Sequence, residues 1–218
     1  MRLVTVAHGT RHPTGNDVAR AITAAAGSRL GWEAVTSYVE LSGPLFEDVV
    51  AGLTEPAVVV PLLLSTGYHV TVDLPRAVAA ASVPVALGAA LGPDPALALA
   101  QADRLREAGG IPGQRVVLVA AGSQDPAALP DLEAARMLLA EEWGGEVALA
   151  TLGGGGRRPA EVVRPGDAVS PYLLAPGHFA ERAREESLGA AVIADVIGVH
   201  DAVVGLVVAR ATSDRGRA

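Results

Sequence analysis

The feature that most constrains this chain is an internal repeat. Residues 6–13, VAHGTRHP, return as VAAGSQDP at 119–126, and EAVTSYVE at 33–40 returns at the same spacing as EVALATLG at 146–153. A third segment, PLLLSTGYH at 61–69, returns as PYLLAPGHF at 171–179, at a spacing three residues shorter. Three matches in the same order mark a duplication, so whatever fold the first half takes the second takes again. Within the first half, short β-rich runs at 2–7, 33–40, 56–64 and 83–87 alternate with helix-period segments near 16–30, 43–53, 70–81 and 95–108. The second half repeats this with strands near 115–120, 146–152, 168–174 and 190–194 and helices near 128–143, 178–188 and 199–212. Strand and helix in alternation predict an α/β protein of two similar subdomains, each a parallel four-stranded sheet flanked by helices. GGIPG, near 109–114, reads as the linker. The expected domains are 1–110 and 114–212, facing each other across a cleft, with a polar tail at 213–218.

Composition narrows the chemistry. Half of the 218 residues are hydrophobic, enough for a well-buried core. No cysteine is present, which excludes disulfides, thiolate-bound zinc and iron–sulfur clusters. Any metal must bind through His, Asp or Glu. A net charge of −7 and an aromatic content of 3% argue against a nucleic-acid partner. No apolar run approaches the roughly 20 residues that span a bilayer, and no signal peptide is evident, so no membrane partner and a cytoplasmic location are expected.

Each matched segment of the first half puts a possible metal ligand at the carboxyl end of a strand: His8 after the first, Glu40 at the end of the second, His69 after the third. Open parallel sheets bind ligands at the carboxyl ends of their strands. Two imidazoles and a carboxylate, with positions left open, suit a divalent first-row metal such as Fe(II), Co(II) or Ni(II). The second half carries Ala121, Gly153 and Phe179 at these places, so one site per chain is expected. His178 aligns with Tyr68 rather than with His69. His12 and His200 read as surface histidines, and Asp73 as an early-helix residue able to orient a histidine.

VAHGTRHP, YVELSGP and VVVPLLLSTGYHVTVDLP together resemble the class II tetrapyrrole chelatases of the sirohydrochlorin type. That resemblance implies a lyase that inserts Fe2+ into sirohydrochlorin to form siroheme, or Co2+ on the way to cobalamin, with the metal as substrate and no organic cofactor. It places the metal on His8, Glu40 and His69, with the two histidines also acting in catalysis. The chemistry agrees independently: insertion needs a loosely held metal and bases for the pyrrole protons, whereas a closed four-ligand site would not let go. The implied substrate bears many carboxylates, for which Arg11, Arg76, Arg157 and Arg158 are the candidate partners. LGGGGRRP lacks the ending of a phosphate loop. A histidine phosphatase is disfavoured because Ala7, not arginine, precedes His8. A metal carrier or sensor using the same residues is the alternative outside catalysis. Because the duplication imitates a dimer, a monomer is expected.

Overall fold

The computed structural model describes residues 1–12 and 14–217. Its first sheet contains β1 (Arg2–Ala7), β2 (Glu33–Tyr38), β3 (Ala57–Pro61) and β4 (Val85–Leu87), all parallel, in the order β2-β1-β3-β4. Between the strands run α1 (Gly15–Leu30), α2 (Phe46–Ala51) and α3 (Leu74–Ala79). After α4 (Pro95–Glu107) the plan repeats: β5 (Val116–Ala120), α5 (Ala128–Trp143), β6 (Val147–Thr151), α6 (Pro159–Val162), β7 (Ala168–Tyr172), α7 (His178–Glu185), β8 (Val192–Ile193) and α8 (Asp201–Asp214). The second sheet has the order β6-β5-β7-β8, matching the first strand for strand. The architecture is that of the duplicated α/β scaffold.

Strands covered on both faces read as continuous apolar runs, as they do here. In β1, Val4 and Val6 enter a core with Phe46 and Val50 of α2, Val59 of β3 and Leu74 of α3. The alternate residues, Leu3 and Thr5, are equally buried on the α1 side, where the Thr5 and Thr23 hydroxyls hydrogen-bond and Thr23 donates to the Ala19 carbonyl. The second half repeats the first core with Val117, Val119, Leu152, Val162 and Ala183.

The compact units divide the chain differently from the expected 1–110 and 114–212. One unit combines Met1–Leu91 with the stretch from Val199 onward; the other is Gly92–Gly198. The last helix of each repeat causes the difference: α4 packs on β7 and α5, whereas α8 packs on α1 and β3. Gln101 of α4 accordingly donates to Ser170 of β7, and Arg29 of α1 pairs with Asp201 of α8. GGIPG is therefore a turn inside the second unit. The expected polar tail is also mostly structured, because α8 runs on to a buried Asp214 and a 3₁₀ turn, Arg215–Arg217, follows; the Arg215 guanidinium lies 5.8 Å from the Trp32 ring. Residue 218 lies outside the described residues.

Candidate metal centre

The three ligand candidates reach the same sheet edge by backbone geometry that the sequence forces. β1 ends at Ala7, and the ladder to the neighbouring chain segment continues one step beyond β2: Val39 N–H donates to the Ala7 carbonyl and Glu40 N–H to that of His8. Glu40 thus lies two residues past β2, still held beside His8. The approach is so close that a β-carbon on Gly9 would stand 1.9 Å from the Glu40 carbonyl oxygen, and Gly9 has φ +96. Only glycine fits both demands. Gly122, with φ +80, makes the same approach to the Gly153 carbonyl in the second half.

The loop after Gly9 is also repeated. Thr10 Oγ1 accepts from His12 N–H and His12 Nδ1 from Thr14 N–H; Ser123 and Asp125 form the same pair of contacts with Asp125 and Ala127. His12 is a turn residue, half-buried rather than a plain surface histidine. Asn16 of α1 has no counterpart for its role. It accepts from Thr10 N–H and donates to the Thr10 carbonyl at 2.8 Å and to Ser42 Oγ at 3.1 Å, tying the His8 loop to the Glu40 loop. The equivalent in α5 is Leu129, which is exposed and cannot make these bonds.

His69 begins a single π-helical turn, His69–Asp73, in which Leu74 N–H donates to the His69 carbonyl. Pro75 explains the widened turn: its nitrogen has no hydrogen and its ring crowds the carbonyl four residues earlier. The turn lays Asp73 against the imidazole, with Asp73 Oδ2 2.8 Å from His69 Nδ1.

The side chains now stand in one place. His8 Nε2 is 3.4 Å from Glu40 Oε1, too long for a strong hydrogen bond, and the two side chains are 47% and 52% exposed. The His8 and His69 rings meet edge to face with centroids 5.3 Å apart. His8 Nδ1 lies 3.3 Å from the Gly9 carbonyl. Glu40 and His69, with Phe46, Asp73, Leu74 and Arg76, line a cavity of about 240 Å³. Among the described residues no group of three or more His, Asp or Glu side chains is drawn together closely enough to hold a metal ion as it stands. The arrangement is an open one, with nitrogen and oxygen donors around solvent-accessible space.

The arginines are less uniform. Arg76 is 74% exposed and lies 3.5 Å from Asp73, and Arg11 is exposed on the His8 loop. Arg158 instead serves its own loop, donating to the Leu152 carbonyl and to Glu186, and Arg157 donates to the Glu161 carbonyl. These two arginines close a compact turn over the glycines, in which Thr151 N–H donates to the Arg157 carbonyl. His178 opens α7 and its ring tilts against Phe179 at 5.7 Å. His200 caps α8, its Nδ1 accepting from Ala202 N–H.

Residues 2–108 match the family model named CbiX. The chain superposes on SirB from Bacillus subtilis with Fe3+ at 26% identity and a TM-score of 0.77, covering 99% of this chain and 97% of that one. This chain belongs to the class II chelatase family. Two further members have the same fold: cobalt-bound sirohydrochlorin chelatase SirB from Bacillus subtilis subspecies spizizenii (24% identity, TM-score 0.74, 98% and 94% covered) and CbiX from denitrifying bacteria (21%, 0.72, 98% and 99%). No curated protein sequence matches the chain. The family model ends where α4 ends, and the second half of this chelatase-family chain is covered by the full-length structural matches. No helix is long and apolar enough to cross a membrane among the described residues.

Proposed function

We propose that the chain is a sirohydrochlorin chelatase, a metal-inserting lyase, and that Fe(II) is its metal, giving siroheme. The observation that carries the reading is the convergence of His8, Glu40 and His69 at one sheet edge, within the segment that matches the CbiX model. In this reading the two imidazole Nε2 atoms and the Glu40 carboxylate hold the incoming metal as substrate. Their exposure leaves coordination positions open, so the metal can pass to the macrocycle. As metal–nitrogen bonds form, the pyrrole N–H protons pass to the imidazoles and the carboxylate as they release the ion. Arg11 and Arg76, on the two segments that bear the histidines, are placed to meet substrate carboxylates; Arg157 and Arg158 are engaged by their own loop. The duplicated halves supply in one chain what a dimer would, so the protein acts as a monomer, which sedimentation measures directly.

Cobalt insertion is the second reading, supported by the cobalt in one of the SirB structures. The donor set alone does not separate neighbouring metals. Anaerobic insertion into sirohydrochlorin with Fe(II), Co(II) and Ni(II) in turn is the test. The highest kcat/KM is expected with Fe(II); a higher value with Co(II) moves the function to cobalt. Metal binding with no insertion of any metal makes the chain a carrier. The double substitution His8→Ala with His69→Ala abolishes insertion with the fold intact, and His178→Ala leaves most of it.

A further inference from the structure

We infer that Asp73 is a positioning residue, which fixes His69 in the tautomer that presents Nε2 to the metal. The inference rests on the proposed metal role of His69 and adds to it the residue that makes the ligand atom available. Asp73 Oδ2 stands 2.8 Å from His69 Nδ1, a hydrogen bond in which Nδ1–H donates and the carboxylate accepts. A neutral imidazole has one N–H, so a proton held on Nδ1 leaves the Nε2 lone pair unprotonated. A carboxylate in that position also raises the donor strength of the ring. Arg76 approaches the other oxygen, Oδ1, at 3.5 Å, and leaves Oδ2 to the histidine.

The duplication supplies an internal control on whether the pair is needed only to fold this segment. In the second half the same segment forms α7, an ordinary helix with Arg182 and Ala183 at this point, neither of whose side chains can accept a hydrogen bond. Arg182 there donates to the Leu152 carbonyl and to Glu186. The helix therefore forms after this strand without the carboxylate, and Phe179 replaces the histidine. The carboxylate and the imidazole occur together in the first half and are missing together in the second. Asp73 is only 25% exposed and is spent on His69 and Arg76. His8 is arranged alike in a weaker way, its Nδ1 3.3 Å from a carbonyl and its Nε2 toward Glu40.

The test uses the full chain labelled with 15N-histidine, at mildly alkaline pH without metal, with the His69 signals assigned by loss in His69→Gln. The parent shows His69 as the Nδ1–H tautomer. Asp73→Ala removes the acceptor, and the ring shifts to the Nε2–H form that histidine otherwise favours. Asp73→Asn, which keeps an oxygen acceptor and preserves the shape, retains the Nδ1–H form. Co(II) affinity, read by titration, falls about 10 to 100-fold in Asp73→Ala, the loss typical of an outer partner of a ligating histidine, and Asp73→Glu recovers part of it. An unchanged His69 tautomer in Asp73→Ala overturns the inference. A switched tautomer with Co(II) affinity held within twofold upholds Asp73 as the residue that sets the ring and removes His69 from the metal site, so the two readings fail separately.

Discussion

Asn16 joins two loops far apart in sequence and does so on three hydrogen bonds, two of them to the Thr10 backbone. Since Leu129 occupies the same place in α5 and the same turn still forms, the clamp serves the site rather than the turn. Asn16→Ala removes the partner of the Thr10 N–H, the Thr10 carbonyl and the Ser42 hydroxyl, which costs about 1–3 kcal/mol of stability where such groups stay desolvated. The expected result is a several-fold weaker Co(II) affinity alongside the lower melting temperature. Affinity within twofold of the parent makes Asn16 a purely structural residue. Glu40→Gln isolates charge from shape at the same edge: an oxygen acceptor remains, the negative charge does not. Metal affinity or insertion rate should drop about 10 to 100-fold, and a change below twofold in both leaves the site to the two histidines and water.

At the scale of elements, the repeated loop after the first strand of each half gives a matched pair of experiments. A methyl group at Gly9 collides with the Glu40 carbonyl, and one at Gly122 collides with the Gly153 carbonyl at 2.1 Å; both glycines also have positive φ. Gly9→Ala and Gly122→Ala should each lose stability, by at least the roughly 1–3 kcal/mol of a strained left-handed residue. Only Gly9→Ala should weaken metal binding, since it displaces Glu40 while Gly122→Ala displaces a glycine. Equal loss of Co(II) affinity in the two variants would separate Glu40 from the metal. The strands and longer helices were legible because burial on both sheet faces writes Val and Ala runs such as VTVA, VVVP and VVLVA into the sequence, and the sheet edge proposed here as the metal site is where His8, Glu40 and His69 follow those runs. Less legible were features set by partners remote in sequence. Nothing near Asn16 signals its reach to Ser42. The π turn hinges on Pro75 inside an otherwise helical pattern, and α6 is too short to show a period. Arg158 looked like an anion ligand because its Leu152 carbonyl and Glu186 partners come together only in the folded chain.

For the whole molecule, the decisive fact is that the repeat in sequence and the compact unit in space are not the same segment. Glycine-rich GGIPG marks the seam of the duplication, but packing is decided by apolar faces, and α8, in which Val203, Val204, Leu206 and Val207 are buried, packs on α1 and β3 of the first unit. Full burial of such side chains contributes about 1.5–3 kcal/mol each, so together they match the roughly 5–15 kcal/mol by which a domain is stable at all. A chain ending at Glu107, close to the limit of the CbiX match, therefore lacks the helix that covers its own sheet. It also carries α4, whose buried Leu97 and Leu105 have lost β7 and α5. Such a fragment is expected to be aggregated or molten. A chain in which Met1–Leu91 is joined through a short glycine–serine linker to the segment from Val199 onward keeps His8, Glu40, His69, Asp73 and Asn16 together with α8. It should melt cooperatively and bind Co(II) with an affinity within a few-fold of the parent, as circular dichroism and metal titration would measure. Cooperative folding of the first fragment would mean that α8 is dispensable to the first sheet and that the boundary lies after all near the glycine-rich turn, and failure of the second to fold would mean that the first unit does not stand without Gly92–Gly198.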